Sequence, residues 1–340
     1  MRAAIYEGPG NIRVIDVPDA SVEVPTDAVV RVTHAAICGS DLWSYRGYGT
    51  RPPGTRIGHE FVGEVVDVGS DVRSVRRGDL VVAPAAFSDG VCEYCRRGLP
   101  SSCEDGGMFS EPGHDGAFGE AVRVPYADGT LVVVPPALLG VETKLLPLSE
   151  VLAAGHHAAV RGTIKAGCTV AVIGDGGVGL SAVLAARRLG ADQIVAVGHH
   201  DERLALASQF GATDVVTAAG EEGLEEVMAA TGGVDVVLEC VGTQRSWEAA
   251  MQVVRDGGTI SYVGVPHHPG VELSRLFSRN VEVRGGICPV RAYLPELLTE
   301  VENGRLDASP IFDYAVSLDD VLDGFKAMDT RAALKVLVRP

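Results

Sequence analysis

Two textures of apolar and polar residues divide the chain. Up to about residue 148, short β-type runs such as AVVRVTHAA (28–36), FVGEVVDVG (61–69) and DLVVAP (79–84) alternate with breaks rich in Gly and Pro. That texture predicts an irregular, largely antiparallel β domain. From 149 to 288 the pattern changes to apolar strands separated by helical segments. The strand candidates are TVAVI (169–173), QIVAV (193–197), TDVV (213–216), VDVVLE (234–239), TISYV (259–263) and VEVRG (281–285). Between them lie GLSAVLAARRLG (179–190), DERLALASQFG (201–211) and QRSWEAAMQVV (244–254). Six buried-type strands with helical crossovers predict an α/β, doubly wound parallel sheet. Beyond 288 a helix-like YLPELLTEVENG (293–304) leads to a last strand, ALKVLVRP (333–340). This tail is expected to return to the first domain, giving domains of 1–148 with 289–340, and of 149–288.

Composition narrows the classes. The 340 residues are 46% hydrophobic and 22% charged, as in globular proteins, and the net charge is −16. A strongly acidic chain is poorly matched to a phosphate backbone, so no nucleic-acid partner is expected. No apolar run is long enough to span a bilayer, and the N-terminus has no apolar targeting core. A cytoplasmic protein with no membrane partner is expected. Of seven cysteines, Cys168, Cys240 and Cys288 stand singly in apolar surroundings and read as small buried hydrophobes. Cys92, Cys95 and Cys103 are clustered as C-x2-C-x7-C, a spacing that in a cytosolic chain points to metal rather than disulfides.

TVAVIGDGGVGL runs from a strand through a glycine turn into a helix. Gly174, Gly176 and Gly179 satisfy G-x-G-x-x-G, with Gly177 and Val178 completing the turn. The first glycine permits the tight turn, the second admits a pyrophosphate to the backbone, and the third lets helix and strand pack closely. The helix N-terminus then offers free N–H groups to phosphate oxygens. An NAD-binding strand would end next in an acidic residue for the ribose 2′-OH. Here it ends in Gly198, followed by His199, His200 and, after two acids, Arg203. With no carboxylate at the tip and three potential cations nearby, NADP(H) is expected over NAD(H).

Cys38 in AAICGSDLW lies 21 residues before His59 and Glu60 in GHEFVGEVVDVGSDV. The latter stretch matches in full G-H-E-x2-G-x5-G-x2-V, the zinc signature of the medium-chain, zinc-dependent alcohol dehydrogenases. ICGSD, the IGDGGVGL turn and the closing KVLVRP resemble that family in the same order, so the resemblance covers essentially the whole chain. It implies a GroES-like β-rich catalytic domain joined to a Rossmann cofactor domain. It further implies that Cys38 and His59 are ligands of a catalytic zinc, with Glu150 in LPLSEVLAAGHH as the third. Glu60 would be the nearby acid, and Ser40 the hydroxyl that takes the alcohol proton. Val263, Gly264, Val265 and Lys335 fall where the family contacts the nicotinamide and phosphate portions of the cofactor.

Two departures stand out. Trp43 occupies the position where many relatives carry a proton-relaying His. An indole N–H only donates, so Trp43 reads either as a wall of the substrate pocket or as packing. The family's second zinc uses C-x2-C-x2-C-x7-C, and aligning the three cysteines with the last three positions puts Asp89 first. Either its carboxylate closes a tetrahedron with Cys92, Cys95 and Cys103, or it is a turn residue in SDG.

The expected function is hydride transfer between NADP(H) and a small alcohol, aldehyde or ketone, with one catalytic and one structural zinc. By analogy with the family a homodimer or tetramer is expected, with GGTISYVGV pairing across a twofold axis. A quinone or enoyl reductase on the same scaffold lacks the zinc ligands that Cys38, His59 and Glu150 would supply. A non-catalytic dinucleotide-binding protein would have no use for them or for Ser40.

Overall fold

The computed structural model describes residues 1–49, 51–217, 221–267 and 270–340, with only the backbone of Glu221. The chain divides into two compact units, Met1–Glu150 with Pro289–Pro340, and Val151–Cys288. Ser149 and Glu150 therefore belong with the first unit.

In the second unit six strands pair in parallel. Their order is Asp214–Thr217, Gln193–Gly198, Thr169–Ile173, Val234–Glu239, Val254–Tyr262 and Glu282–Gly285. By position in the chain this is 3-2-1-4-5-6, the doubly wound order of dinucleotide-binding sheets. The apolar runs are continuous because the central strands are buried on both faces; Val170, Ala171 and Val172 have no exposed surface. Trp247 and Met251 of the helix Gln244–Val253 pack with Val195, Val237 and Ile260 in one core. That helix starts at a capping box, in which the Thr243 hydroxyl accepts from the Ser246 N–H while the Ser246 hydroxyl accepts from the Thr243 N–H. The expectation that GGTISYVGV lies at a twofold edge is overturned. Its strand, Val254–Tyr262, is flanked on both sides, and the edge strands are Asp214–Thr217 and Glu282–Gly285.

The first unit is mainly antiparallel. Its largest sheet runs Val132–Val133, Leu80–Ala83, Glu60–Val68, Ala28–Ala36, Val336–Arg339 and Tyr314–Ser317, with Ala121–Val124 also on Ala28–Ala36. Only its last two strands are parallel to each other. The C-terminal strand is thus an interior member of this sheet, and the Ile37 N–H donates to the Val336 carbonyl at 3.0 Å. Phe61, Phe109, Phe118 and Phe325 are fully buried in the core, with Phe61 and Phe109 edge-on at 5.1 Å. Alternation fixes which side chains face this core and which face the other side of the sheet.

Candidate metal centre and cofactor turn

The strands Ala28–Ala36 and Glu60–Val68 pair antiparallel with Ala36 opposite Glu60. Cys38 lies two residues beyond one strand end and His59 one residue before the other, so the register brings them together. Gly58 precedes His59 with φ +99°, and a Cβ there would lie 2.7 Å from the Phe118 N. Glu150 follows the short 3-10 turn Leu146–Ser149 and completes the group. One ligand atom from each of Cys38, His59, Glu60 and Glu150 lies within 4.8 Å of the others. His59 Nε2 is 3.2 Å from Glu150 Oε2. Cys38, His59 and Glu60 are buried, and Glu150 is partly exposed.

The electrostatics are those of a site built for a cation. Burial and the charge of Glu150 push the Cys38 thiol up to about 12. Burial likewise pushes Glu60 up to about 7, against the pull of Lys335. Burial opposes ionisation of Glu150 as well, but the charge and hydrogen bond of His59 hold it well below the usual carboxylate range. His59 is raised well above an ordinary imidazole, because Asp41 and Glu150 outweigh its burial. Glu60 Oε2 is buried with no hydrogen-bond partner among the described residues. An orphaned carboxylate oxygen beside a thiol, an imidazole and a second carboxylate fits Zn²⁺, whose charge would reverse this pattern and hold the thiol as thiolate.

Lys335, expected to touch cofactor phosphate, is only 2% exposed. Its Nζ donates to Glu60 Oε1 at 2.7 Å and to the Ile37 carbonyl at 3.1 Å. Its ammonium therefore faces the acid cluster. Ser40 is exposed on the turn after Cys38, and its N–H points to the Cys38 sulfur at 3.5 Å. Trp43 packs against Tyr48 with ring centroids 5.5 Å apart.

A second group joins Asp89, Cys92, Cys95 and Cys103, again with ligand atoms within 4.8 Å of one another. Asp89 Oδ1 accepts from the N–H groups of Val91 and Cys92 at 2.8 and 3.0 Å. Those bonds outweigh desolvation and hold its carboxyl down to about 2. Desolvation and Asp89 push Cys95 up to about 12. The sulfurs of Cys92 and Cys103 are 3.9 Å apart, and both are free thiols. The helix Glu93–Arg96 buries no residue, and Val91 is 61% exposed, so the lobe has almost no core of its own.

In the second unit the turn after Thr169–Ile173 has the predicted form. Gly174 has φ +115°, and a Cβ on Gly179 would lie 1.8 Å from its carbonyl oxygen. The helix Gly177–Arg188 begins at Gly176 with no side-chain cap, and among the described residues nothing lies within 4 Å of a Cβ built there. An uncapped twelve-residue helix with open space at its start fits a diphosphate. Beside it, buried Glu239 accepts from the Val241 and Gly242 N–H groups. The Glu239 carbonyl accepts from Val263 and Gly264, and Val265 is exposed. These loops all leave the carboxyl ends of the strands, where doubly wound sheets bind ligands.

One expectation at this edge fails. The tip of Gln193–Gly198 does carry a carboxylate, brought by Asp175 from the glycine turn. Asp175 Oδ2 accepts from the N–H groups of His199 and His200 at 2.7 and 2.9 Å and contacts His200 Nδ1 at 2.8 Å.

Comparison with known proteins gives this geometry a family. Residues 24–136 match the alcohol dehydrogenase GroES-like domain, and residues 177–303 match the zinc-binding dehydrogenase domain. A probable zinc-binding alcohol dehydrogenase of Mycobacterium tuberculosis, Rv1895, is 37% identical, covering all of this chain and 89% of its own. The chain belongs to the zinc-dependent alcohol dehydrogenase family. Alcohol dehydrogenase TADH from Thermus sp. ATN1 superposes with a TM-score of 0.94 at 35% identity, covering 100% of this chain and 99% of that one. A zinc-binding dehydrogenase of Sinorhizobium meliloti, solved with NADP, gives 0.87 at 30% identity with the same coverage. As a member of this family the protein is a zinc-dependent oxidoreductase, an alcohol dehydrogenase that works with a nicotinamide cofactor.

For this alcohol dehydrogenase, reading the sequence missed two residues that orient the site. Asp41 is buried, its Oδ2 accepts from the Cys38 N–H at 3.2 Å, and its Oδ1 lies 3.5 Å from His59 Nδ1. Arg51 approaches the same oxygen at 3.6 Å. Asp41 follows Ser40 directly in ICGSD, so its closeness to Cys38 was the available signal. Asp175 was passed over because the glycine pattern treats its position as a spacer.

Proposed function

We propose that Cys38, His59 and Glu150 hold the catalytic zinc, and that the enzyme interconverts a small alcohol with its aldehyde or ketone. The observation that carries this reading is the convergence of the three, with the orphaned Glu60 oxygen beside them. When bound, zinc supplies a Lewis acid for the alcohol or carbonyl oxygen, and the nicotinamide takes or gives the hydride. The protein's own groups do the rest. Asp41 fixes the His59 ring so that Nε2 faces the site. Lys335 counters the burial of Glu60 and holds its carboxyl close by. Ser40 Oγ receives the proton that leaves the alcohol while its own passes to water, since the turn is exposed. Trp43, unable to relay a proton, supplies apolar wall for the substrate. Gly174, Gly176, Gly177, Val178 and Gly179 cradle the diphosphate, and Val263, Gly264 and Val265 border the nicotinamide end.

A second zinc, held by Asp89, Cys92, Cys95 and Cys103, is proposed to organise the lobe, because metal binding can replace the missing core as its folding energy. NADP(H) is proposed as the favoured cofactor, supported by His199, His200 and Arg203 around Gly198 and by the NADP-bound relative. Asp175 works against that preference. A cytoplasmic location agrees with the seven free thiols. Among the described residues no helix is long and apolar enough to cross a membrane. A homodimer or tetramer through Glu282–Gly285 is proposed, supported by exposed Leu273, Phe277 and Ile287.

The test combines metal analysis with nicotinamide absorbance on an alcohol and aldehyde panel. His59→Ala and Cys38→Ser should abolish turnover while the cofactor unit still binds nucleotide. Turnover persisting after complete metal removal would refute the zinc mechanism. Two zinc ions per chain are expected, with one lost from Asp89→Ala on dialysis against a mild chelator and both kept in Asp89→Cys.

A further inference from the structure

A dinucleotide sheet ordinarily reads the adenosine ribose with an acid at the end of its second strand. In this chain that residue is Gly198, and no side chain fits there. A Cβ on Gly198 would lie 2.6 Å from the Asp175 Cβ and 2.7 Å from Asp175 Oδ2. The space is already filled by Asp175, whose side chain is 10% exposed. Three contacts hold Oδ2, two from backbone N–H groups and one from His200. Oδ1 makes no hydrogen bond among the described residues, and Arg203 Nη1 stands 3.9 Å from it. One oxygen therefore anchors the carboxylate while the other keeps its acceptor capacity.

We propose that Asp175, supplied by the glycine turn rather than the strand end, is the residue that reads the adenosine ribose and discriminates against a 2′-phosphate. A ribose 2′-hydroxyl can donate to Oδ1. A 2′-phosphate ester is ionised, has no such proton at neutral pH, and brings negative charge against a fixed negative charge. Arg203, which faces Asp175, offsets part of that repulsion. The preference of the enzyme is then set by the balance between the Asp175 carboxylate and the Arg203 guanidinium at this strand tip. This inference rests on dinucleotide binding at this turn, but it is separate from the NADP(H) preference proposed above. The wild-type preference tests that reading, and the change on substitution tests this one.

The experiment is fluorescence titration of NADH and NADPH into the zinc-loaded enzyme without substrate, at fixed ionic strength, for wild type, Asp175→Asn and the double exchange Asp175→Gly/Gly198→Asp. Asparagine keeps an oxygen for the backbone N–H groups and removes the charge. It should tighten NADPH relative to NADH by about tenfold, the scale of one charge–charge interaction near a protein surface. The double exchange returns a carboxylate to the strand end once the clash is gone, and should keep the wild-type ratio. An unchanged ratio in a folded Asp175→Asn, or equal weakening of both nucleotides, would assign Asp175 only to holding the turn and overturn the proposal. Should Asp175→Asn fail to fold, the double exchange decides. A ratio moved toward NADPH there would equally refute it, because the carboxylate is still present.

Discussion

Asp41 and Lys335 support the side chains proposed to hold zinc, and each makes a distinct demand. Asp41 orients His59 from behind, and outer partners of this kind typically contribute 10–100-fold to metal affinity. Asp41→Asn is therefore expected to lose zinc to a competing chelator at roughly ten- to a hundredfold lower chelator concentration, with thermal stability little changed. Lys335 is the counter-charge of a fully buried carboxylate. Lys335→Ala should destabilise the metal-free protein by about 3–5 kcal/mol in denaturant titration, the scale for leaving a buried charge unpaired. At this scale the sequence was legible where chemistry comes in a motif. Cys38, His59 and Glu150 do meet, and so do Asp89 and the three clustered cysteines. It misled where function depends on a contact between distant positions. Nothing near Lys335 in the chain announces Glu60, 275 residues away. Asp175 was hidden for a different reason: it fills a position that the glycine pattern leaves unspecified.

Single elements depend on local chemistry that can be tested one cap or one turn at a time. Thr243 starts the Gln244–Val253 helix, and Thr243→Ala should cost about 1 kcal/mol, read as a lower denaturant midpoint with unchanged slope. Asp175 offers a pH test of the strand-tip turn. Burial alone would raise its carboxyl, but the N–H groups of His199 and His200 and the His200 ring lower it below 3.8. A carboxyl depressed by folding stabilises fully above its unfolded pKa of about 3.9 and ceases to do so as the pH falls through its folded value. The gap in unfolding midpoint between wild type and Asp175→Asn should therefore narrow as the pH falls below about 4. Strands and helices were readable because buried parallel strands leave continuous apolar runs. Their order in the sheet was not, since TISYV and VEVRG look alike as sequence, and only lateral pairing makes one interior and the other an edge.

On the scale of the whole molecule, surface and connectivity matter most. A net charge of −16 opposes indiscriminate association, so an apolar patch that persists is notable. Leu273 and Phe277, 74% and 87% exposed, lie one turn apart on a helix that buries none of its residues. If the edge Glu282–Gly285 joins two copies, Phe277→Asp with Val283→Asp should convert the oligomer to monomers in sedimentation velocity and leave the zinc content of the lobe unaltered. The interior position of the C-terminal strand has a further consequence, one of timing. A ribosome releases the N-terminus first, yet the sheet beneath Cys38 lacks Val336–Arg339 until that strand, far downstream of Ala28–Ala36, has emerged. Lys335, the partner of Glu60, arrives at the same moment. The Val151–Cys288 unit is continuous and can complete its sheet while the flanking sheet still waits with an open edge along Ala28–Ala36. During synthesis the nascent first unit thus waits with a gap in its largest sheet and with Glu60 uncompensated beside Cys38 and His59. Truncation of the chain before Val336 would leave that gap permanent.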